Sequence, residues 1–333
     1  MNATKKKLAW QLPLLALLII GTVVVIRQQQ SMPYQHNEGM VFGTFYSITY
    51  QHDQDLQKKI EAELQKVDNS LSPFNKQSVI TAINNNKPTR LTEQFIYVFD
   101  LAKQISEDTD GAFDITVAPL VNAWGFGFKN DCPPNKHTID SLRSIIGYDK
   151  VHLYGKQVKK DDPRIMLDCS AIAKGYGADV VATLLRKEGI KNFMVEIGGE
   201  IVTSGVNAKR LPWRIGVERP VDDSLATEKN YQTVLNVTDI AMATSGNYRN
   251  FYYKNGRKYA HTINPKTGYP VQHSILSATV LCKECARADA YATTFMVVGL
   301  DEAKRILARH KELKAYLIYD QNGQYRVWQS EGM

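Results

Sequence analysis

Ile165-Met-Leu-Asp-Cys-Ser-Ala-Ile-Ala-Lys-Gly-Tyr-Gly177 is an apolar run closed by a carboxylate, then a turn of small residues, then the opening of a helix. The pattern that follows predicts a helix over 174–188, with Gly189 as its C′ residue. A strand, a small-residue turn and a helix start leave unpaired N–H groups pointing out of the first helical turn, which makes a natural anion cradle. Taken alone, Asp168 has a second reading as a helix-capping carboxylate, and Gly175-x-Gly177 is weak evidence, since glycines also serve plain turns.

Outward from this segment the chain reads as one mixed α/β (α+β) domain. Val41–Tyr50 alternates as a strand should. Leu56, Ile60, Leu64 and Val67 fall at helical spacing, predicting a helix over 54–69, and Phe95 to Ile105 mark another, ended by Asp110-Gly111. Phe193–Ser204 reads as two strands around Gly198-Gly199. Further strands are predicted at 213–218, 232–237, 275–282, 315–319 and 324–328, with helices near 286–298 and 301–311. Strands outnumber helices in the second half and the order is not a repeating βαβ, which argues against a classical Rossmann fold. No Pro/Gly/Ser-rich linker divides residues 39–333, and no repeat suggests a solenoid or propeller.

The N-terminus is a membrane signal. Residues 1–7 form a basic tail. Leu8–Ile26 holds 19 residues without a charge, roughly 28 Å of helix, close to the hydrocarbon thickness of a bilayer. Lys5, Lys6 and Lys7 precede it and Arg27 follows, which orients the tail to the cytoplasm and the rest outward. No Ala-x-Ala site follows, so the run is expected to remain as an anchor on a polar tether, 27–38, ahead of the domain at 39–333, with a cleaved signal peptide as the alternative. The chain then belongs to a bacterial inner membrane, its folded part on the periplasmic side. Those four cations precede the first acid, Glu38, and supply more than half of the net charge of +7. The remainder is unremarkable, and nucleic acid is not the expected partner. Cys282-x-x-Cys285 has no second pair or nearby histidine to complete a zinc site, leaving a local disulfide or two idle thiols. Cys132 and Cys169 read as isolated.

Other polar residues sit where a plain core would not want them. Asp289 and Thr293 are four apart on an otherwise apolar helix, hence on one face. A buried carboxylate and hydroxyl suit a hard cation, or else bond to each other within the helix. Thr244-Ser-Gly-Asn-Tyr248 reads as a hydroxyl-rich turn able to hold phosphate or a ring edge. His261 leads into the strong turn Asn264-Pro-Lys-Thr-Gly268; a lone histidine is more often structural than catalytic, and the turns around this one raise its standing.

Six stretches together carry a resemblance: Asp110-Gly-Ala-Phe-Asp-Ile-Thr-Val-Ala-Pro-Leu-Val-Asn-Ala-Trp-Gly-Phe-Gly127, Leu167-Asp-Cys-Ser-Ala-Ile-Ala-Lys-Gly-Tyr-Gly-Ala-Asp179, Glu196-Ile-Gly-Gly-Glu200, Thr244-Ser-Gly-Asn-Tyr-Arg249, His261-Thr-Ile-Asn-Pro-Lys-Thr-Gly268 and Ala288-Asp-Ala-Tyr-Ala-Thr293. In this order they resemble the FAD:protein FMN transferases, the ApbE family, over roughly residues 39–330. The resemblance implies a fold related to the T-fold. It also implies a reaction in which a Thr or Ser hydroxyl of a partner protein attacks the phosphorus of the FMN half of FAD, so that AMP leaves.

Carried over by position, Mg²⁺ would be held by the backbone oxygen of Ala171 and the side chains of Asp289 and Thr293. FAD, the substrate, would meet Phe42, Phe74, Ala112, Phe113, Asp114, Asp168, Lys174 and Ile263. His261 matches the family's functional histidine, as base or phosphate-orienting group. The acceptor implied is a membrane subunit of an ion-pumping or ferredoxin-linked reductase. Two positions depart from many relatives: Ala292 stands where they carry a second acid, and Phe42 where they carry methionine. Two other readings compete, an FAD diphosphatase that uses water as nucleophile and a membrane-anchored flavin-binding protein that transfers nothing.

Overall fold

The computed structural model describes residues 13–23, 32–127, 133–220, 231–247, 251–254 and 257–333. Of the N-terminal apolar run, 13–23 form a helix (α1) that leaves Leu14, Leu17, Leu18 and Ile20 exposed. The rest of the run, 8–12 and 24–26, lies outside the described residues, among which no helix is long and apolar enough to cross a membrane.

The alternation at 41–50 folds as a hairpin and not as one strand. Tyr34–Val41 (β1) pairs antiparallel with Thr44–Gln51 (β2). Phe42 and Gly43 turn between them at φ 52° and 73°, the backbone a two-residue hairpin loop requires. The expected tether therefore ends early, because Tyr34–Glu38 already belong to the sheet. Helices Gln57–Leu71 (α2), Val79–Asn84 (α3), Glu93–Asp108 (α4), Ala118–Ala123 (α5) and Lys136–Ile145 (α6) follow, and then the small ribbon Val151–Tyr154 (β3) and Gln157–Lys160 (β4). The Ile165–Asp168 run makes no full strand. Met166 forms a single parallel bridge to Val117, and Asp168 N–H donates to Ile115 O at 2.7 Å.

Helix Ala173–Lys187 (α7) begins within one residue of its expected start, and Gly189 follows it at φ 79°. Next come Phe193–Ile197 (β5), Glu200–Ser204 (β6), Trp213–Glu218 (β7), Tyr231–Val237 (β8), Ala241–Gly246 (β9), Phe251–Lys254 (β10), Arg257–Ala260 (β11) and Ile275–Cys282 (β12). Helices Cys285–Val298 (α8) and Leu300–Arg309 (α9) precede the last pair, Lys314–Gln321 (β13) and Gln324–Gln329 (β14). The sheet runs β1-β2-β5-β6-β9-β12-β13-β14, and every neighbouring pair is antiparallel. The expected mixed α/β domain is present, with helices packed on an antiparallel sheet.

Period-two burial in β5 sends Phe193, Val195 and Ile197 into one cluster with Ala178, Val181, Ala182 and Leu185 of α7. α8 is apolar nearly all round, as a helix enclosed on every side should be. It packs on β9, β12 and α7. The α7–α8 contact is close at Gly175, where an added Cβ would lie 2.4 Å from Cys285 O and 2.7 Å from its carbonyl carbon. Four residues on, Asp179 accepts the N–H groups of Cys285 (2.9 Å) and Ala286 (2.8 Å), so α7 caps the start of α8. Burial holds the Asp179 carboxyl up, at about 6, against those two donors.

Cys169, Cys282 and Cys285 are free and buried, so the pair at 282 and 285 are idle thiols and the disulfide alternative falls. Burial pushes the Cys282 thiol up to about 12, far from the thiolate that redox chemistry needs. Cys132 lies outside the described residues.

Gly175→Ala forces its methyl into the Cys285 peptide, an overpacking cost of roughly 1–3 kcal/mol. Thermal unfolding should show a Tm several degrees lower. An unchanged Tm would mean that α7 and α8 can separate freely at this point.

Candidate functional site

The β5–β6 turn opens on a cavity of about 680 Å³. Gly198 and Gly199 make that turn at φ 62° and 103°, and Gly198 N–H donates to Phe45 O at 2.9 Å. A Cβ on Gly198 would stand 2.8 Å from Thr44 Cγ2 and 3.3 Å from Lys174 Cδ, so glycine here leaves Lys174 its path. The start of α7 brings Ala171 and Lys174 to the wall, α8 brings Asp289 and Thr293, and β9 brings Thr244 and Ser245. His261, Ile263, Phe74, Asp168 and the 112–114 stretch complete it. Phe126 and Arg214 also line it.

Asp289 and Thr293 do not bond to each other. Asp289 is 3% exposed, and its Oδ2 accepts the Gly175 N–H at 3.1 Å. That N–H would otherwise close the first turn onto the Ala171 carbonyl four residues back. Thr293 Oγ1 lies 3.1 Å from Ser245 Oγ. Across the wall, Lys174 Nζ meets Glu200 Oε1 at 2.5 Å, with the Glu200 side chain 2% exposed. Glu200 Oε2 is buried and has no hydrogen-bond partner among the described residues.

Two buried carboxylates thus face one ammonium. Burial lowers the pKa of Lys174, but the charges of Asp289 and then Glu200 outweigh it and the net direction is up. Burial drives Glu200 up, opposed by Lys174, and drives Asp289 up, opposed by Lys174 and the Gly175 N–H. An excess of carboxylate with hydroxyl and carbonyl neighbours is an oxygen-rich environment suited to a hard cation. Among the described residues no three His, Cys, Asp or Glu side chains cluster as a metal site, so protein carboxylates alone do not make a cage here.

Asp168 does not cap α7. Its Oδ1 accepts Ser170 N–H (2.8 Å) and Oγ–H (2.5 Å), knotting the turn before the helix. Asp114 is buried and occupied: Oδ1 accepts Thr116 N–H (2.8 Å) and Oγ1–H (2.7 Å), and Oδ2 accepts Tyr148 N–H (3.0 Å). Burial still holds its carboxyl above the usual range. Thr244 to Gly246 form the end of a strand and not a turn, while Tyr248 and Arg249 lie outside the described residues. The His261 ring has the edge of Phe126 at 6.5 Å between centroids.

Phe42 is the exception among the expected contacts. It is not on the cavity wall, and a Cβ on Gly177 would sit 2.6 Å from its ring. The hairpin turn lays this side chain over α7. Ala292 is also off the wall and wholly buried in the main core. Sequence reasoning missed Glu200 as a partner of Lys174, although the residue closes the Glu196-Ile-Gly-Gly-Glu200 stretch. A charged residue after a Gly-Gly turn gives no local sign of burial.

The model of the ApbE family matches residues 42–317. An FAD:protein FMN transferase of Vibrio cholerae serotype O1 is 36% identical over 306 residues, 89% of this chain and 90% of that protein. An Escherichia coli K12 protein of the same name is 33% identical, covering 88% and 86%. Among solved structures, the flavin transferase ApbE from Vibrio cholerae superposes with a TM-score of 0.82 at 34% identity, covering 90% of this chain and 98% of that one. The apo flavinyl transferase ApbE of Pseudomonas stutzeri gives 0.81 at 28%. Fold and cavity define a single-domain α/β transferase. The chain belongs to the ApbE family.

Lys174→Met should leave Glu200 and Asp289 buried without a counter-charge and cost roughly 3 kcal/mol, as breaking buried ion pairs does. Urea unfolding of Lys174→Met, and of the double variant with Glu200→Gln, measures this. The double variant should recover most of the loss. No loss in the single variant would mean that the pair does not hold this wall.

Proposed function

We propose that the protein is an FAD:protein FMN transferase that moves FMN from FAD to a Thr or Ser hydroxyl of an acceptor protein and releases AMP. One observation carries this reading: all six family stretches contribute to a single cavity, whose lining includes Asp289, Thr293, Ala171 and the Lys174–Glu200 pair. The names of the relatives support it. A passive flavin binder has no need of buried carboxylates on the wall of its pocket.

The residues present fit Mg²⁺. Asp289 offers a buried carboxylate oxygen, Thr293 a hydroxyl and Ala171 a carbonyl, all hard donors at one wall. When bound, the cation would neutralise charge on the substrate diphosphate and polarise the phosphorus. The rest is the work of this chain. Ser245 orients Thr293 through their hydroxyl contact, and Gly175 N–H fixes the rotamer of Asp289. Lys174, firmly charged, supplies a cation toward the substrate. His261, with Phe126 beside its ring, takes the proton of the attacking hydroxyl or orients the phosphate.

The apolar run 8–26, oriented by Lys5–Lys7, would tether this domain to the inner membrane with its cavity on the periplasmic side. An acceptor in a membrane redox complex suits that placement. Reporter fusions after residue 40 test the topology: the exported reporter should be active and the cytoplasmic one silent, and the reverse would overturn the assignment.

Incubation of the protein with FAD, Mg²⁺ and a candidate acceptor should yield AMP and a fluorescent acceptor band on a denaturing gel. Free FMN with AMP and no labelled band would instead identify the diphosphatase. Asp289→Asn keeps the size and removes the charge, so transfer should fall by orders of magnitude while the melting curve persists. Near wild-type transfer by Asp289→Asn across Mg²⁺ concentrations would remove the metal assignment.

A further inference from the structure

Glu200 has one task that the fold explains and one that it does not. Its Oε1 holds Lys174 Nζ at 2.5 Å. Its Oε2, on a side chain 2% exposed, has no partner among the described residues, and the residue lines the reaction cavity. A buried carboxylate oxygen without a donor is costly, because it has given up its water and gained nothing in exchange. Such atoms are rare and call for an account. The neighbouring groups supply none: Gly175 N–H is committed to Asp289, and the Lys174 ammonium lies on the other oxygen. The free lone pairs therefore call for a donor from whatever enters the cavity.

Lys174 and Glu200 side by side present an N–H donor next to an oxygen acceptor. A heteroaromatic edge with an acceptor beside an N–H matches that pair, in the way that paired donors and acceptors read base edges. We propose that Lys174 and Glu200 form a specificity clamp for such a ring edge of FAD, with Glu200 Oε2 accepting its N–H. This rests on the reading of FAD as substrate. Two edges of FAD carry the chemistry: N6–H beside N1 on adenine, and N3–H beside O4 on the flavin. With Lys174 on one oxygen and a ring N–H on the other, the carboxylate would have both oxygens satisfied.

Quenching of flavin fluorescence measures binding of FAD and of two analogues to the full chain. One is N3-methyl-FAD, which cannot donate from the flavin edge; the other is the hypoxanthine dinucleotide, which reverses donor and acceptor on the purine edge. The wild-type protein should bind one analogue at least about tenfold more weakly than FAD, the loss expected for a hydrogen bond to a charged group. Which analogue suffers identifies the edge. Glu200→Gln turns the acceptor into a donor while keeping the size, so it should bind FAD about tenfold more weakly and lose the discrimination. Wild-type protein that binds both analogues as tightly as FAD would overturn the clamp, whether or not the variant folds. So would a Glu200→Gln protein that binds FAD as wild type does. Failure of the wild-type protein to bind FAD at all would instead remove the substrate reading beneath it.

Discussion

The site depends on one close approach, α7 against the start of α8 at Gly175. Only a residue without a side chain lets the Cys285 carbonyl come so near. From that contact follow the capping of α8 by Asp179 and the bond from Gly175 N–H to Asp289. Ala171 in the turn before α7 and Lys174 in its first turn, with Asp289 and Thr293 on α8, then share a wall. Helix packing at this point is therefore also site assembly, and the glycine serves packing before it serves any ligand.

Charge at the site follows from the same arrangement. α8 is apolar on nearly every face, and its one carboxylate is taken out of water. A second, Glu200, is buried at the β5–β6 turn, with a single ammonium between them. A buried excess of carboxylate over ammonium makes such a cavity receptive to cations and hydrogen-bond donors.

Much of this was legible in the sequence, for physical reasons. The alternating run Trp213–Glu218 and the short apolar run Ile275–Cys282 match their strands to the residue, and Gly189 marks the end of α7 as its left-handed backbone requires. The hairpin at Phe42-Gly43 was hidden, because its alternation continues through a turn whose first residue is a bulky aromatic at positive φ. Short helices such as α3 and α5 have too few turns to show a period. The strand β9 was read as a turn from its Thr-Ser-Gly end, since only pairing with β12 determines its form. Asp289 and Thr293 were legible as misfits on an apolar helix. The partner of Lys174 was not, because that contact joins a helix start to a turn twenty-six residues away.

The central claim is that α7 and α8 build one site shared by a cation and the substrate diphosphate. On the proposed reading, Asp289, Thr293 and Ala171 would offer that cation one carboxylate, one hydroxyl and one carbonyl, and phosphate oxygens would complete its shell. Calorimetric titration of Mg²⁺ with and without FAD measures this directly. The account predicts that FAD tightens Mg²⁺ binding about 5–150-fold and that Mg²⁺ tightens FAD binding by the same factor. Equal Mg²⁺ affinities in the two titrations would contradict it.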